Sequence, residues 1–193
     1  MRPAAASLFG VDVPDGFEHR DDFITDEEEQ ALLVEIRRVE FSDFELRGVI
    51  ARRRVAFFGA SYDRAETVTA PMPAFLYPMR ERLAEWAKVA PAAFAMALIN
   101  EYRPGAPIGW HRDAPQYDFV SGISLLSSGR MRFRSYVAPQ QAAALGVRRV
   151  ATHELTLLPR SAYLMRGASR SEFEHSIPPV SELRYSITFR TLR

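Results

Sequence analysis

A histidine and an aspartate stand two positions apart in the segment PIGWHRDAPQYDF, residues 107–119. If this segment ends a strand, His111 and Asp113 project from the same face, because strand side chains alternate. An imidazole and a carboxylate are two of the three ligands in a 2-His-1-carboxylate site, which holds non-haem Fe(II) and leaves further coordination positions open. His-x-Asp is a common tripeptide, so a polar turn after a strand is the simpler explanation until a third ligand is found.

Three other histidines could supply that ligand: His19, His153 and His175. His19 lies in an acidic, loop-like stretch, and His153 begins an amphipathic strand, where an exposed structural histidine is expected. His175 lies just before a Pro-Pro pair and the final strand, so it can stand at a strand end and face the core. The position of His175 allows it to be the third ligand, and the final strand bears on the choice among the three.

The final strand, RYSITFR, alternates apolar or aromatic residues with polar ones. The polar face carries Arg184, Ser186, Thr188 and Arg190. The two arginines are about 20 Å apart between backbones, at roughly 3.3 Å per residue. Their long side chains can converge on a small dianion, and Arg is the side chain best shaped to bind a carboxylate. A solvated outer face explains the same pattern without any ligand.

Two helices are predicted ahead of these segments. Thr25 with Glu28 forms a capping box at the start of TDEEEQALLVEIRRVEF, which is typical of a helix N-terminus. A second helix is expected over residues 74–88, with Pro78 in its first turn or at a kink. The stretch before Phe23 is rich in Asp, Gly and Pro, so we expect it to run along the surface.

From Phe94 onward the period changes to that of strands. One face is expected to carry Phe94, Met96, Leu98, Asn100 and Tyr102. The segment FVSGISLLSSGRMRFRSY predicts a hairpin joined around residues 127–130, with Gly129 in the turn. HELTLLPRSAYLMRG predicts two further strands broken at Pro159-Arg160. Two helices followed by many short strands indicate a sandwich or barrel with helices on one side.

Composition narrows the class of protein. A chain of 193 residues is the size of one domain, and the absence of Cys excludes disulfides, zinc-thiolate sites and cysteine nucleophiles. No apolar run approaches the roughly 18 residues of a membrane span, so we expect a cytoplasmic protein with no membrane association. Residues 1–45 carry 13 acidic and 4 basic side chains, whereas the rest is basic and almost lysine-free. The preference for Arg over Lys has two alternative explanations: codon bias in the genome, or a basic surface that binds a polyanion.

The chain resembles the AlkB family of Fe(II)- and 2-oxoglutarate-dependent dioxygenases over about residues 50–193. The resemblance rests on NEYRPGAPIGWHRD (100–113), SLLSSGRMRFR (124–134), LPRSAYLMRGASRSEFEHSI (158–177) and RYSITFR (184–190), and RRRVAFFGASYD (52–63) is similar to the segment that precedes the core in that family. Each piece alone is weak evidence. Their combination in this order is specific.

The resemblance implies an α+β fold, a double-stranded β-helix with N-terminal helices packed on one side. It implies one domain over residues 1–193, divided into an extension and helix (1–50), a substrate-side segment and helix (51–93) and the β-helix core (94–193). The implied iron ligands are His111, Asp113 and His175. The implied 2-oxoglutarate contacts are Asn100, Tyr102, Arg184, Ser186 and Arg190, with His153 outside the motif.

The implied reaction uses Fe(II), O2 and 2-oxoglutarate, with ascorbate as the reductant in vitro, to hydroxylate a C–H bond. An N-methyl group would leave as formaldehyde, and the typical substrate of the family is an alkylated base in DNA or RNA, which must leave the stack to reach buried iron. Candidate base contacts are Phe57, Phe58 and Tyr62. Candidate phosphate contacts are Arg52, Arg53, Arg54, Arg130, Arg132 and Arg134. Activity should fall below about pH 6.5, as the histidines protonate.

One position departs from the family pattern. Base-repairing members often place an acid two residues after His-x-Asp, and this chain has Pro115 there, with Asp118 the nearest acid. The leading hypothesis is a monomeric demethylase of alkylated nucleic acid. The alternatives are a protein or small-molecule substrate on the same fold, and a non-catalytic nucleic-acid-binding module.

Overall fold

The computed structural model of the chain describes residues 13–46, 49–60, 70–138 and 151–193. Strands dominate the described residues, with two helices of eleven residues each. In chain order the elements are β1 Phe17–Arg20, α1 Asp26–Ile36, β2 Ser42–Leu46, β3 Val49–Gly59, α2 Tyr77–Ala87, β4 Phe94–Tyr102, β5 Ile108–His111, β6 Tyr117–Leu125, β7 Gly129–Ser135, β8 Thr152–Leu157, β9 Ala162–Met165, β10 Phe173–Ile177 and β11 Arg184–Leu192. Short helical turns cover Ala74–Leu76, Pro91–Ala93 and Ala168–Ser171.

The strands form two sheets that face each other. The large sheet has the order β1-β9-β6-β11-β4-β3-β2, and the small sheet has the order β5-β10-β7-β8. Met96 and Leu98 of the large sheet and Met131 and Phe133 of the small sheet belong to the core between them. The other face of the large sheet packs on α1 and α2 through a second core. This arrangement is the predicted double-stranded β-helix with helices on one side.

Both helices begin as their sequences predict. The Thr25 hydroxyl accepts a hydrogen bond from the Glu28 backbone N–H at 3.2 Å, and the Glu28 carboxylate accepts one from the Thr25 N–H at 2.9 Å. Pro78 stands in the first turn of α2, where no intrahelical N–H is needed. Arg82 of α2 donates to Glu28 at 2.9 Å, which ties the two helices together.

The predicted hairpin between β6 and β7 is wrong. β6 pairs with β11 and β9 in the large sheet, whereas β7 pairs with β10 and β8 in the small sheet. The chain therefore crosses between sheets at residues 126–128, where Leu126 adopts a φ of 73°. The buried Glu29 of α1 accepts a hydrogen bond from the Leu126 N–H at 2.7 Å, so this backbone group has a partner although it lies outside both sheets.

Gly129 lies at the start of β7 rather than in the turn. A Cβ atom at this position would lie 2.8 Å from Nε and 3.1 Å from Cδ of Arg184. The glycine therefore makes room for a buried arginine on the facing sheet, which the turn prediction had missed.

Three further predictions need correction. Residues 17–20 do not run along the surface, because β1 pairs with β9 and Phe17 is buried in the core between the sheets. The predicted division at residue 50 falls inside β3, which joins the large sheet beside β4. Phe94 does not share a face with Met96, because a register shift in the pairing of β4 with β11 places it in the helix-side core. No helix in the described part of the chain is long and apolar enough to cross a membrane.

Candidate active site

Two strands of the small sheet bring the two predicted histidine ligands together. His111 ends β5 and stands directly opposite His175 of β10, with the ring centroids 4.2 Å apart. Asp113 follows β5 by two residues, and its Oδ2 lies 3.6 Å from His175 Nε2. One potential ligand atom from each of the three residues lies within 4.8 Å of the other two. The spacing permits all three to bind one ion.

The hydrogen bonds around this cluster orient its lone pairs. His111 Nδ1 lies 2.9 Å from the Gly109 carbonyl oxygen, so a neutral ring that donates there keeps its Nε2 lone pair for a metal. Asp113 Oδ1 accepts from Arg190 Nε at 2.9 Å and from Nη2 at 2.8 Å. Asp113 Oδ2 is buried without a hydrogen-bond partner among the described residues. Because buried polar atoms are normally paired, this oxygen beside two imidazoles fits a divalent cation such as Fe(II).

The electrostatics keep the three groups in the protonation states that a metal needs. Burial and the neighbouring His111 lower the pKa of His175 to about 3. Burial also lowers the pKa of His111, against the opposing effect of Asp113. Burial alone would raise the pKa of the Asp113 carboxyl, but Arg190 and the two imidazoles outweigh it and hold that pKa well below its usual value. Neutral imidazoles and an ionised carboxylate are the metal-binding forms.

A polar stripe on β11 faces the same interior. Arg184 is only 1% exposed, and its Nη2 donates to the Ser124 hydroxyl at 2.9 Å while its Cζ lies 5.2 Å from the centre of the Tyr102 ring. Asn100 Nδ2 lies 3.4 Å from the Ser186 hydroxyl on the adjacent strand. The stripe is buried, so a solvated outer face is excluded. A buried guanidinium whose described partners are neutral fits an anionic ligand.

Comparison with known families identifies the kind of site in which three candidate metal ligands lie near a buried arginine. Residues 21–190 match the family model of the 2OG-Fe(II) oxygenase superfamily. The chain belongs to this superfamily. It is therefore an Fe(II)- and 2-oxoglutarate-dependent dioxygenase, and O2 is its third reactant. The resemblance to the AlkB family drawn from the motifs is confirmed at the level of superfamily and fold.

Individual relatives of this oxygenase are distant in sequence. An uncharacterized protein, L905, of Acanthamoeba polyphaga mimivirus is 24% identical over 92% of this chain and 85% of its own length. The solved structure of OsALKBH1 superposes with a TM-score of 0.70 at 12% identity, covering 93% of this chain and 99% of that one. A prolyl-4-hydroxylase from Pseudomonas putida superposes with a TM-score of 0.61 at 14% identity, covering 92% and 93%. The two structures share the fold of this chain.

Arg190 of the oxygenase has a different role from Arg184 in this structure. Its Nε and Nη2 atoms bind Asp113, and its Nη1 donates to the Thr188 hydroxyl at 3.0 Å. Arg190 thus fixes the Asp113 carboxylate through Oδ1, while Oδ2 has no hydrogen-bond partner among the described residues. Its predicted contact with 2-oxoglutarate stays a prediction. Arg184, at the other end of the stripe, has only neutral partners among the described residues, and its predicted contact with 2-oxoglutarate likewise stays a prediction.

Sequence reasoning missed a second arginine that supports Asp113. Arg170 lies in the turn Ala168–Ser171, is 6% exposed, and donates through Nη2 to the carbonyl oxygens of Ala114 and Tyr117. These bonds hold the loop that follows Asp113. The signal in the sequence was only an arginine five residues before His175, which cannot be told from a surface arginine without the fold.

The predicted base contacts are divided by the structure. Phe57 and Arg53 lie on the interior face of β3, and Phe57 is half-buried against Phe44, with ring centroids 6.3 Å apart. Phe58 lies on the opposite face and packs against the helix-side core. Its assignment as a substrate-binding residue is corrected, because adjacent strand residues face opposite ways. Tyr62 lies outside the described residues.

The predicted phosphate contacts also differ among themselves. Arg130, Arg132 and Arg134 donate to Glu154, Ser176 and Glu174 at 3.3, 3.3 and 2.7 Å. Arg54 forms a bidentate pair with Glu101 at 2.9 Å, Arg53 is buried, and Arg52 is exposed. His153 is half-buried with its ring 6.4 Å from that of Phe173, and Phe133 separates it from His175 in the small sheet. The three arginines of the small sheet therefore already have partners within that sheet.

The low histidine pKa values predict how acid affects the protein without metal. The folded pKa of His175 is about 3, against 6.5 for an unperturbed histidine. Between these values the unfolded chain binds a proton that the folded protein does not, so stability is expected to fall as the pH drops from 6.5 toward 3. The expected loss of activity correspondingly moves to more acidic pH than the 6.5 inferred from the sequence. Thermal unfolding of chelator-treated protein between pH 7.5 and 4.5 measures the expected loss of stability.

A matched variant assigns the effect to its source. His175→Gln removes the buried imidazole and should flatten the dependence of the melting temperature on pH. His153→Gln, at a half-buried histidine that Phe133 separates from His175, should keep the slope of the native protein. An equal slope in His175→Gln and the native protein would contradict the assignment.

Proposed function

We propose that this oxygenase is an oxidative demethylase of N-alkylated bases in DNA or RNA. The observation that carries the proposal is an aromatic and cationic wall, Phe44, Arg53 and Phe57, on the β2–β3 arm of the large sheet. β3 pairs with β4, in which Asn100 and Tyr102 stand opposite Ser186 and Arg184 of the polar stripe. The wall therefore borders the same interior as the metal cluster.

The wall has the chemistry that a flipped base requires. Arg53 donates to Asn100 Oδ1 at 3.2 Å, and its guanidinium carbon lies 4.5 Å from the centre of the Phe44 ring. Phe44 and Phe57 are each half-buried, so part of each ring surface faces solvent or a substrate. Enzymes that act on bases hold the extruded base between aromatic faces and read its edge with polar groups. Arg53 can act as such a polar group because it keeps further N–H donors.

A second cation–aromatic pair lies beside the metal ligands. Arg112 stands between His111 and Asp113 in the sequence and is exposed. Its guanidinium carbon lies 3.6 Å from the centre of the Tyr136 ring, and its Nη1 donates to the Ser171 carbonyl at 3.2 Å. An exposed arginine held in this way can bind a phosphate next to an extruded nucleotide, because phosphate contacts position nucleic acid without reading its sequence.

The proposed reaction divides between the bound reactants and the chain. When bound, Fe(II) would supply the oxidation chemistry, in which O2 and 2-oxoglutarate would be converted to succinate and CO2 while the N-methyl group would be hydroxylated and released as formaldehyde. His111, Asp113 and His175 would hold the metal, and Arg190 would keep the carboxylate oriented. Arg184 would bind the cosubstrate. The apolar residues between the sheets, Met131 and Phe133 among them, exclude water from this interior.

One observation favours a second candidate, a hydroxylase or demethylase acting on a protein side chain or a small molecule. Pro115 occupies the position where the resemblance to base-repairing enzymes leads one to expect an acid, and Asp118 is exposed. The fold is also that of a prolyl-4-hydroxylase. A substrate without a base edge would not need the missing acid.

Product analysis tests the two candidates directly. The protein with Fe(II), 2-oxoglutarate and ascorbate is incubated with single- and double-stranded DNA and RNA carrying defined N-methyl bases, and with proline-containing peptides. Formaldehyde and the unmodified base are expected from at least one oligonucleotide, and His111→Ala should abolish both products. His153→Ala is the control and should retain them. Peptide hydroxylation without demethylation of any oligonucleotide would establish the alternative.

Kinetic and binding measurements distinguish an effect on substrate binding by the wall from an effect on the metal and cosubstrate site. Arg53→Met should raise the KM for the oligonucleotide while leaving the KM for 2-oxoglutarate within about twofold. Oligonucleotide affinity should also fall steeply with salt, because phosphate contacts release counterions. Salt-insensitive binding would contradict a nucleic-acid substrate.

A further inference from the structure

Tyr163 of β9 projects into the interior between the sheets and was not among the predicted site residues. It stands opposite Gly122 of β6 in the large sheet. A Cβ atom on Gly122 would lie 2.5 Å from the ring carbon Cζ and 2.6 Å from the hydroxyl oxygen of Tyr163. The tip of the phenol therefore lies directly over the glycine, and any side chain there would displace it.

The position of Gly122 places this hydroxyl beside the polar stripe. Gly122 is paired on its other side with Thr188 of β11, which lies between Arg184 and Arg190. Ser124, which accepts the hydrogen bond from Arg184, is two residues from Gly122 and faces the same way. The phenol thus reaches across β6 toward the buried guanidinium of Arg184.

The ring is held in place, but its hydroxyl is not engaged. Phe17 stacks on the Tyr163 ring with centroids 5.8 Å apart and an interplanar angle of 22°. Tyr163 is 8% exposed, and no hydrogen bond joins its hydroxyl to another of the described residues. Burial raises the pKa of the Tyr163 phenol, so the group stays a neutral donor. An immobilised phenol O–H without a hydrogen-bond partner among the described residues is able to donate to a ligand.

We propose that the Tyr163 hydroxyl is a further binding group for 2-oxoglutarate and donates a hydrogen bond to the carboxylate that Arg184 binds. The Thr188 hydroxyl already donates to the Leu98 carbonyl at 3.2 Å and accepts from Arg190, so Thr188 is engaged at the level where the Tyr163 phenol is available to donate. The inference rests on the assignment of this pocket to the cosubstrate and is independent of which substrate is demethylated.

The carboxylate concerned is the one remote from the metal. Arg190 lies beside Asp113, and Arg184 is six residues away along an extended strand. A ligand that reaches Arg184 while its other end meets the metal would have its far carboxylate at the Arg184 end of the stripe, where we propose that Tyr163 donates to it. Pyruvate has the same 2-oxo acid group and lacks that far carboxylate. The proposed contact should consequently distinguish the two molecules.

Calorimetric titration of 2-oxoglutarate into Mn(II)-loaded protein tests the proposal without turnover. Tyr163→Phe is expected to raise the Kd for 2-oxoglutarate by roughly 10-fold or more, the range for losing a hydrogen bond to a charged group. The Kd for pyruvate should stay within about twofold. Tyr185→Phe is the matched control, because Tyr185 is a buried phenol on the helix-side face of β11. Its Kd for both acids should match that of the native protein.

Gly122→Ala provides a second variant, since its methyl group would displace the phenol. It should raise the Kd for 2-oxoglutarate, as Tyr163→Phe does. An unchanged Kd in Tyr163→Phe, when Arg184→Met weakens binding, would overturn the role of Tyr163 alone. An unchanged Kd for 2-oxoglutarate in both Tyr163→Phe and Arg184→Met would overturn the assignment of this pocket to the cosubstrate as well. Equal losses for 2-oxoglutarate and pyruvate would overturn the assignment to the far carboxylate.

Discussion

Replacing Arg184 with methionine is expected to weaken 2-oxoglutarate binding by roughly 30-fold or more, the effect of about 2–5 kcal/mol for removing one partner of a buried charged pair. The same substitution should leave the stability of the protein without cosubstrate unchanged or higher. The two effects together are the signature of a charge that is buried for a ligand rather than for the fold.

The opposite signs follow from what surrounds the guanidinium. Arg184 is 1% exposed, and its Nη2 donates to the neutral Ser124 while its Nε has no partner among the described residues. Burial lowers the pKa of Arg184, which expresses the cost of keeping the charge away from water. Methionine fills similar space without that cost. It cannot bind a carboxylate.

The measurement combines calorimetry with thermal unfolding. Mn(II)-loaded Arg184→Met is titrated with 2-oxoglutarate, and its melting temperature without cosubstrate is compared with that of the native protein. Arg134→Met is the control, because Arg134 donates to Glu174 at 2.7 Å on the small sheet and makes no described contact with the polar stripe. A native Kd in Arg184→Met would contradict the assignment.

The sequence predicted the faces of strands better than their partners. Alternation in RYSITFR correctly placed Arg184 and Arg190 on one face of β11, and the Thr25–Glu28 capping box correctly located the start of α1. The same alternation could not distinguish a hairpin from a crossover at Leu126, because side chains alternate identically whichever sheet a strand joins. Pairing is decided by contacts distant in the sequence, such as that between Glu29 and the Leu126 N–H.

The candidate site shows the same division. His111, Asp113 and His175 could be proposed from residue type and family motif, because both can be read from short segments of the sequence. The supporting residues could not, because Tyr163 depends on Gly122 of another strand and Arg170 depends on carbonyls of a loop more than 50 residues earlier. Such partners have no spacing that identifies them. Only the closed interior brings them together.

Replacing Arg190 with methionine should have the opposite effect on stability from Arg184→Met. The Arg190 guanidinium holds Asp113 Oδ1 through two hydrogen bonds of 2.9 and 2.8 Å, and both side chains are about nine-tenths buried. Removing one member of a buried pair leaves the other charge uncompensated, at a cost of about 3–5 kcal/mol. Chemical denaturation of the protein without metal should therefore show a large loss in the free energy of unfolding.

A double-mutant cycle identifies Asp113 as the source of that loss. In Asp113→Asn the carboxylate charge is absent, so adding Arg190→Met should cost much less than it does in the native protein. A divalent metal should also recover part of the stability of Arg190→Met, because it compensates the same charge and binds only the folded state. If Arg190→Met cost as much in the Asp113→Asn background as in the native protein, the pair would not be what stabilises this end of the site. Because Arg184→Met and Arg190→Met remove the same side chain from one strand face, their opposite outcomes would separate the arginine that serves the ligand from the arginine that serves the metal site.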